Sequence, residues 1–195
     1  MNVAWTRAAE GLPRRAFTVA DVRRMIDIGV IGADERIELL EGELVVMAAK
    51  GYAHEIIKTA LVKALVLAAG KDVKVGVEMS IQFSPEILLE PDIAILAQGD
   101  IRESETGYVD VVRGGCHLVV EVAQSSLGYD KETKASLYAG FGVREFWVID
   151  ANERTAWIHI GPTADGWSQI TGRGPDDVLT TPALPGLVIK LGELE

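Results

Sequence analysis

Three groups in the sequence have the types and order needed to cleave a phosphodiester. Asp92 follows Glu90-Pro91 and opens the apolar run Ile93-Ala94-Ile95-Leu96. Glu121 closes a second run, His117-Leu118-Val119-Val120, and is followed by Val122. Lys134 comes next, beyond the short Ser125–Gly128 stretch. Hydrolysis of a phosphodiester needs a positioned water, neutralisation of the charge that builds on phosphorus, and help for the leaving alkoxide. Mg²⁺ or Mn²⁺ supplies all three and takes carboxylate, carbonyl and water oxygens. Asp92 and Glu121 are such ligands, and the Val122 carbonyl is a third candidate. Lys134 would orient or activate the water and stabilise developing negative charge. The bland alternative places Asp92 in a Pro-Asp turn and pairs Glu121 with Lys134 as a plain ion pair.

The elements that must hold these groups follow from apolar periodicity. Ile93–Leu96 and His117–Val122 are nearly continuous apolar runs, as expected of central strands covered on both faces. After Ser125–Gly128 a helix is expected from Tyr129 or Asp130 to about Phe141. On it, Lys134, Leu137, Tyr138 and Phe141 fall at i, i+3, i+4 and i+7 and share one face. That face must meet the sheet, so Lys134 is aimed inward, where an ammonium needs a carboxylate partner or a function.

Upstream, Thr18 with Asp21 forms a capping box for a helix to about Asp27, ended by Gly29 and Gly32. Arg36–Leu40 and Glu43–Met47 read as a hairpin about Glu41-Gly42. Glu38 stands among the apolar residues of its first arm, facing either solvent or a cleft. Gly51–Ala69 is a helix by its apolar face, with His54 in its first turn. That single histidine specifies no metal site and is expected on the surface or in packing. Val73–Phe83 alternates as one long strand, with Glu78 on its polar face and Ser84–Leu88 as a turn after it. Gly99–Gly115 reads as a surface loop with one helical turn. Glu145–Asp150 is a further buried strand, Thr155–Ile160 and Trp167–Thr171 form a terminal hairpin, and Leu187–Leu191 is a last short strand. This order gives a mixed α/β domain with a central sheet flanked by helices.

The chain of 195 residues, 48% hydrophobic and 25% charged, suits a single globular domain over residues 1–195. One cysteine, Cys116, excludes an internal disulfide and a multi-cysteine zinc site, and its apolar neighbours make it a buried thiol. No run is apolar enough to cross a bilayer, and the N-terminus lacks the order of a signal peptide, so a cytoplasmic location is expected. The net charge of −10 opposes a broad DNA-binding surface and confines nucleic-acid affinity to a local, metal-neutralised site. Neither a Gly-Lys-Ser/Thr phosphate loop nor a Gly-x-Ser-x-Gly elbow is present.

Three stretches together resemble a known family. These are Glu90–Leu96, the block from Leu118 through Lys134 to Asp150, and Arg36–Leu44 with the following His54. They are similar to the Uma-type restriction endonucleases of the PD-(D/E)XK superfamily, over about residues 17–190. The resemblance implies a restriction-endonuclease-like core and metal-dependent DNA hydrolysis. It matches Asp92 and Glu121 to the metal-binding acids, Glu38 to the acid of the N-terminal block, and Lys134 to a lysine migrated onto the helix. The superfamily's usual lysine position, two after Glu121, holds Ala123 here. Gln124 stands where Asp or Ser is frequent, and Glu78 where Gln is common. Nuclease-like folds often pair to cut both strands, which makes a homodimer an expectation. Trp157 and Trp167 would face either a partner copy or the core. The competing reading is a catalytically weak or inactive nuclease-fold module for binding or assembly.

Overall fold

The computed structural model describes residues 5–6, 14–32 and 34–194. They form two compact units, one drawn from Met1–Ala49, Ser80–Glu90 and Arg102–Asp110, the other from Lys50–Met79, Pro91–Ile101 and Val111–Glu195.

The first unit carries the helix Val19–Asp27. Thr18 Oγ1 accepts from the Asp21 amide while the Asp21 carboxylate accepts from the Thr18 amide, so two otherwise orphaned donors are satisfied reciprocally. Val19 and Val22 on its inner face pack with Ile31, Leu39 and Leu88. The hairpin Ile37–Leu40/Glu43–Val46 turns through Glu41 and Gly42, both left-handed at φ 47° and 84°. That is the two-residue turn whose twist suits antiparallel strands. The Ile37–Leu40 strand also pairs with Ile87–Leu89, which continues antiparallel to Ile81–Ser84.

The second unit is built on a six-stranded mixed sheet. Its order is Gly166–Arg173, Thr155–Thr163, Glu145–Asp150, Cys116–Ala123, Ile93–Ala97 and Val73–Val77. Cys116–Ala123 runs parallel to Glu145–Asp150 and antiparallel to Ile93–Ala97. All three are almost wholly buried, which explains their unbroken apolar runs. The helix Tyr52–Ala68 lays Ile57, Leu61 and Leu65 into the same core as Ile93, Ile95, Leu118 and Val120. A second helical segment starts at Leu127–Tyr129, widens into a π turn over Asp130–Lys134 and resumes as α-helix over Ala135–Gly140.

Four expectations from periodicity need correcting. The alternation across Val73–Phe83 is two strands, not one, because Glu78 is left-handed at φ 48° and breaks the ladder. The turn placed at Ser84–Leu88 gives way to the strand Ile87–Leu89, whose three apolar residues are all buried. Gly99–Gly115 holds two short strands, Ile101–Glu103 and Val109–Val111, with a 3₁₀ turn at Gln98–Asp100. Leu187–Leu191 contributes only a bridge from Ile189 to Leu179, followed by a 3₁₀ turn at Leu191–Glu193. Among the described residues no helix is long and apolar enough to cross a membrane.

Candidate active site

The two acids flank one end of an antiparallel ladder. Its last pair is Val120 with Ile93, and Glu121 and Asp92 are the next residues beyond that pair on either chain segment. Asp92 Oδ2 accepts the Val122 amide at 2.8 Å, which holds the carboxylate over the Glu121–Val122 peptide. In a strand the N–H and C=O of one residue leave on the same edge, so the Val122 carbonyl is also turned toward Asp92.

Lys134 arrives from the helical segment, as its helical face requires. Its Nζ donates to Glu121 Oε1 at 3.0 Å, and the Tyr138 hydroxyl donates to the same oxygen at 2.8 Å. Lys134, Glu121 and Tyr138 are all buried. The π turn participates: the Ala135 amide reaches back to Asp130 O, one residue further than an α-helix allows. Such single-turn widenings re-aim side chains and recur at functional sites.

A second cluster also meets Asp92, and no local pattern in the sequence marks it. His54 is buried, with Nε2 at 3.1 Å from Asp92 Oδ2 and Nδ1 at 3.2 Å from Glu55 Oε1. Of the two expectations for His54, the surface one is corrected: the ring is buried and is a polar partner of Asp92. The His54 amide is met from the bend that directly follows the Glu121 strand. Gly51, the N-cap of the Tyr52–Ala68 helix, has no side chain to offer, and Gln124 Oε1 instead takes the His54 amide at 3.4 Å. Lys50 Nζ donates to Asp92 Oδ1 at 2.6 Å and also to Glu78 Oε1. Lys58 Nζ donates to Glu78 Oε1 and Glu55 Oε1, both at 2.8 Å. The left-handed turn at Glu78 is what points its carboxylate into this cluster, and its amide bonds to Asp92 O at 3.1 Å.

Electrostatics follow from these contacts. Burial alone would raise the Asp92 carboxyl, but the His54 ring and Lys50 ammonium outweigh it and hold the group well below the usual carboxylate range. Glu78 is likewise pulled down to about 2, with Lys50 and Lys58 overcoming the burial penalty. Lys58 is raised, because its two carboxylates outweigh desolvation. Cys116 is buried and desolvation pushes its thiol up to about 12, so it is no thiolate ligand.

Glu38 belongs to the first unit, where it is buried and accepts the Glu90 amide at 3.0 Å. Trp167 Nε1 donates to Ala135 O at 2.8 Å, and the Lys131 ammonium lies 3.7 Å from the Trp157 ring centroid, so both rings are engaged within the chain.

The donors gathered in the second unit are carboxylate and carbonyl oxygens, the chemistry that Mg²⁺ and Mn²⁺ prefer. Among the described residues no three His, Cys, Asp or Glu side chains form a ready-made cation cage. The set still fits Mg²⁺, which is commonly held by one or two carboxylates with waters and substrate phosphate completing the shell. The Lys50 ammonium, seated between Asp92 and Glu78, already occupies a position suited to a cation.

Comparison with known proteins agrees with the fold. The family model Uma2, described as "Putative restriction endonuclease", matches residues 19–192. No curated protein is significantly similar in sequence. Among solved structures, a protein described as "a putative nuclease belonging to DUF820" from Anabaena variabilis superposes with a TM-score of 0.70. It is 17% identical, and the match covers 91% of this chain and 96% of that one. At that identity the likeness establishes the fold.

Proposed function

The chain belongs to the Uma2 family of restriction-endonuclease-like proteins, and from that premise we propose that it is a Mg²⁺- or Mn²⁺-dependent DNA endonuclease. One observation carries the reading. Asp92 immediately precedes the strand Ile93–Ala97, Glu121 stands on the neighbouring strand Cys116–Ala123, and a buried lysine from the helical segment that follows is brought to Glu121.

Asp92, Glu121 and the Val122 carbonyl would hold the metal ion. When bound, that ion supplies Lewis-acid stabilisation of the phosphoryl oxygens and a more acidic water. The rest of the work falls to the chain's own groups. Glu121 holds the Lys134 ammonium and Tyr138 steadies the same carboxylate oxygen, so the ammonium needs no reorganisation to stabilise charge developing on the phosphate or to orient the water. His54 and the Val122 amide lock the Asp92 rotamer. Glu38 is proposed as a further catalytic acid on the strength of the family resemblance alone. Two copies would place one centre on each strand of a duplex, so the proposal includes a homodimer.

Nicking of supercoiled plasmid tests the assignment. The wild type should nick in Mg²⁺ or Mn²⁺ and stop in EDTA, and Glu121→Gln should abolish nicking while the protein stays folded. Nicking that survives Glu121→Gln would remove this centre from the reaction. The net charge of −10 favours a second reading, a nuclease-fold binding or assembly module. That reading expects metal binding without strand cleavage on any DNA form.

A further inference from the structure

The Asp92 carboxylate is held on two sides. Oδ2 takes the Val122 amide and the His54 ring, while Oδ1 takes the Lys50 ammonium. The same ammonium reaches Glu78, so one cation bridges carboxylates from two separate segments. Lys50 is no surface residue, for its side chain is only 11% exposed. Nor is Glu78 a chance partner. A non-glycine residue in the left-handed region is uncommon and costs conformational energy. Here that conformation delivers Glu78 to Lys50 and Lys58 while its amide is tied to Asp92 O. A cation shared between two carboxylates, one of them a candidate ligand of the metal, takes the place of the second ion in a two-metal centre.

We propose that Lys50 is the built-in second cation of the Asp92 centre, filling the Asp92–Glu78 bridge so that the chain binds a single divalent ion. This rests on the metal-centre reading above. Lys50 holds the two acids together before a metal ion arrives, and it then competes with that ion for the charge of Asp92. A lysine in this place lowers metal affinity and in return keeps the buried Asp92 and the half-buried Glu78 stable together without metal.

Calorimetric titration of Mn²⁺ into the wild type, Lys50→Met and Lys50→Arg tests this, with melting temperatures taken in EDTA. The wild type should bind one ion per chain. Lys50→Met should bind Mn²⁺ at least about tenfold more tightly, since a like charge a few ångströms away is gone. It should also melt lower than wild type in EDTA. Lys50→Arg should restore both properties toward wild type. If Lys50→Met does not fold, Lys50→Gln carries the same comparison. Two ions bound per wild-type chain, or a folded Lys50→Met with unchanged or weaker affinity, overturns the role of Lys50 and leaves the metal-centre reading standing. Absence of Mn²⁺ binding from every variant overturns both.

Discussion

Glu121 is the residue on which the site turns, because it ties the sheet to the helical segment through Lys134 and Tyr138. Removing one partner of a buried ion pair leaves the other charge uncompensated, which costs more than the pair contributed. Lys134→Met should therefore lower unfolding stability by about 3 kcal/mol in urea titrations. It should also reduce nicking by at least about a hundredfold while Mn²⁺ binding survives. Glu78 makes a pH prediction. Its carboxyl is lowered from 4.5 to about 2, so it contributes stability that is complete above 4.5 and is lost as pH falls toward 2. Wild type should be more stable than Glu78→Gln at about pH 7, and the urea midpoints of the two should converge near pH 2. Asp92, Glu121 and Lys134 were legible in the sequence because each lies at a place fixed by local pattern. Two are at the ends of apolar runs and one is on a helix face. Lys50 and His54 were not, since their partner Asp92 lies 42 and 38 positions away and no periodicity links them.

At the scale of elements, unbroken apolar runs located the central strands, and helical spacing of apolar residues located the helices, to within a few residues. It failed where a single backbone torsion overrode a continuing pattern. Val73, Val75, Val77, Met79, Ile81 and Phe83 keep alternating through Glu78, yet the chain leaves one ladder there and enters another. The π turn was equally hidden, because a helix face read at i, i+3 and i+4 places Lys134 inward with or without it. The Glu41-Gly42 turn was legible, and its chemistry is testable. A Cβ on Gly42 would lie 2.4 Å from the Ala16 Cβ, in a conformation at φ 84° that alanine resists. Gly42→Ala should cost more than about 2 kcal/mol of stability in chemical denaturation. Glu41→Asn, which suits the left-handed position, should be neutral or slightly stabilising.

For the whole molecule, the fold class was legible because strand and helix signals alternate along the chain, and the family match extends over nearly all of it. Charge is the property that the fold does not explain. With a net charge of −10, DNA is repelled except where carboxylates are neutralised. Duplex affinity, followed by fluorescence anisotropy, should be weak in EDTA and rise severalfold with Ca²⁺. It should also fall less steeply with added salt than that of a protein contacting about six or more phosphates through basic side chains.

The most direct test is one titration of Mn²⁺ into wild type, Asp92→Ala and Lys134→Ala, with plasmid nicking followed in the same samples. Loss of both binding and nicking in Asp92→Ala, with loss of nicking alone in Lys134→Ala, is the expected result. Mn²⁺ bound by wild type with no nicking of supercoiled, linear or single-stranded DNA would contradict the nuclease assignment and leave a metal-binding module in its place.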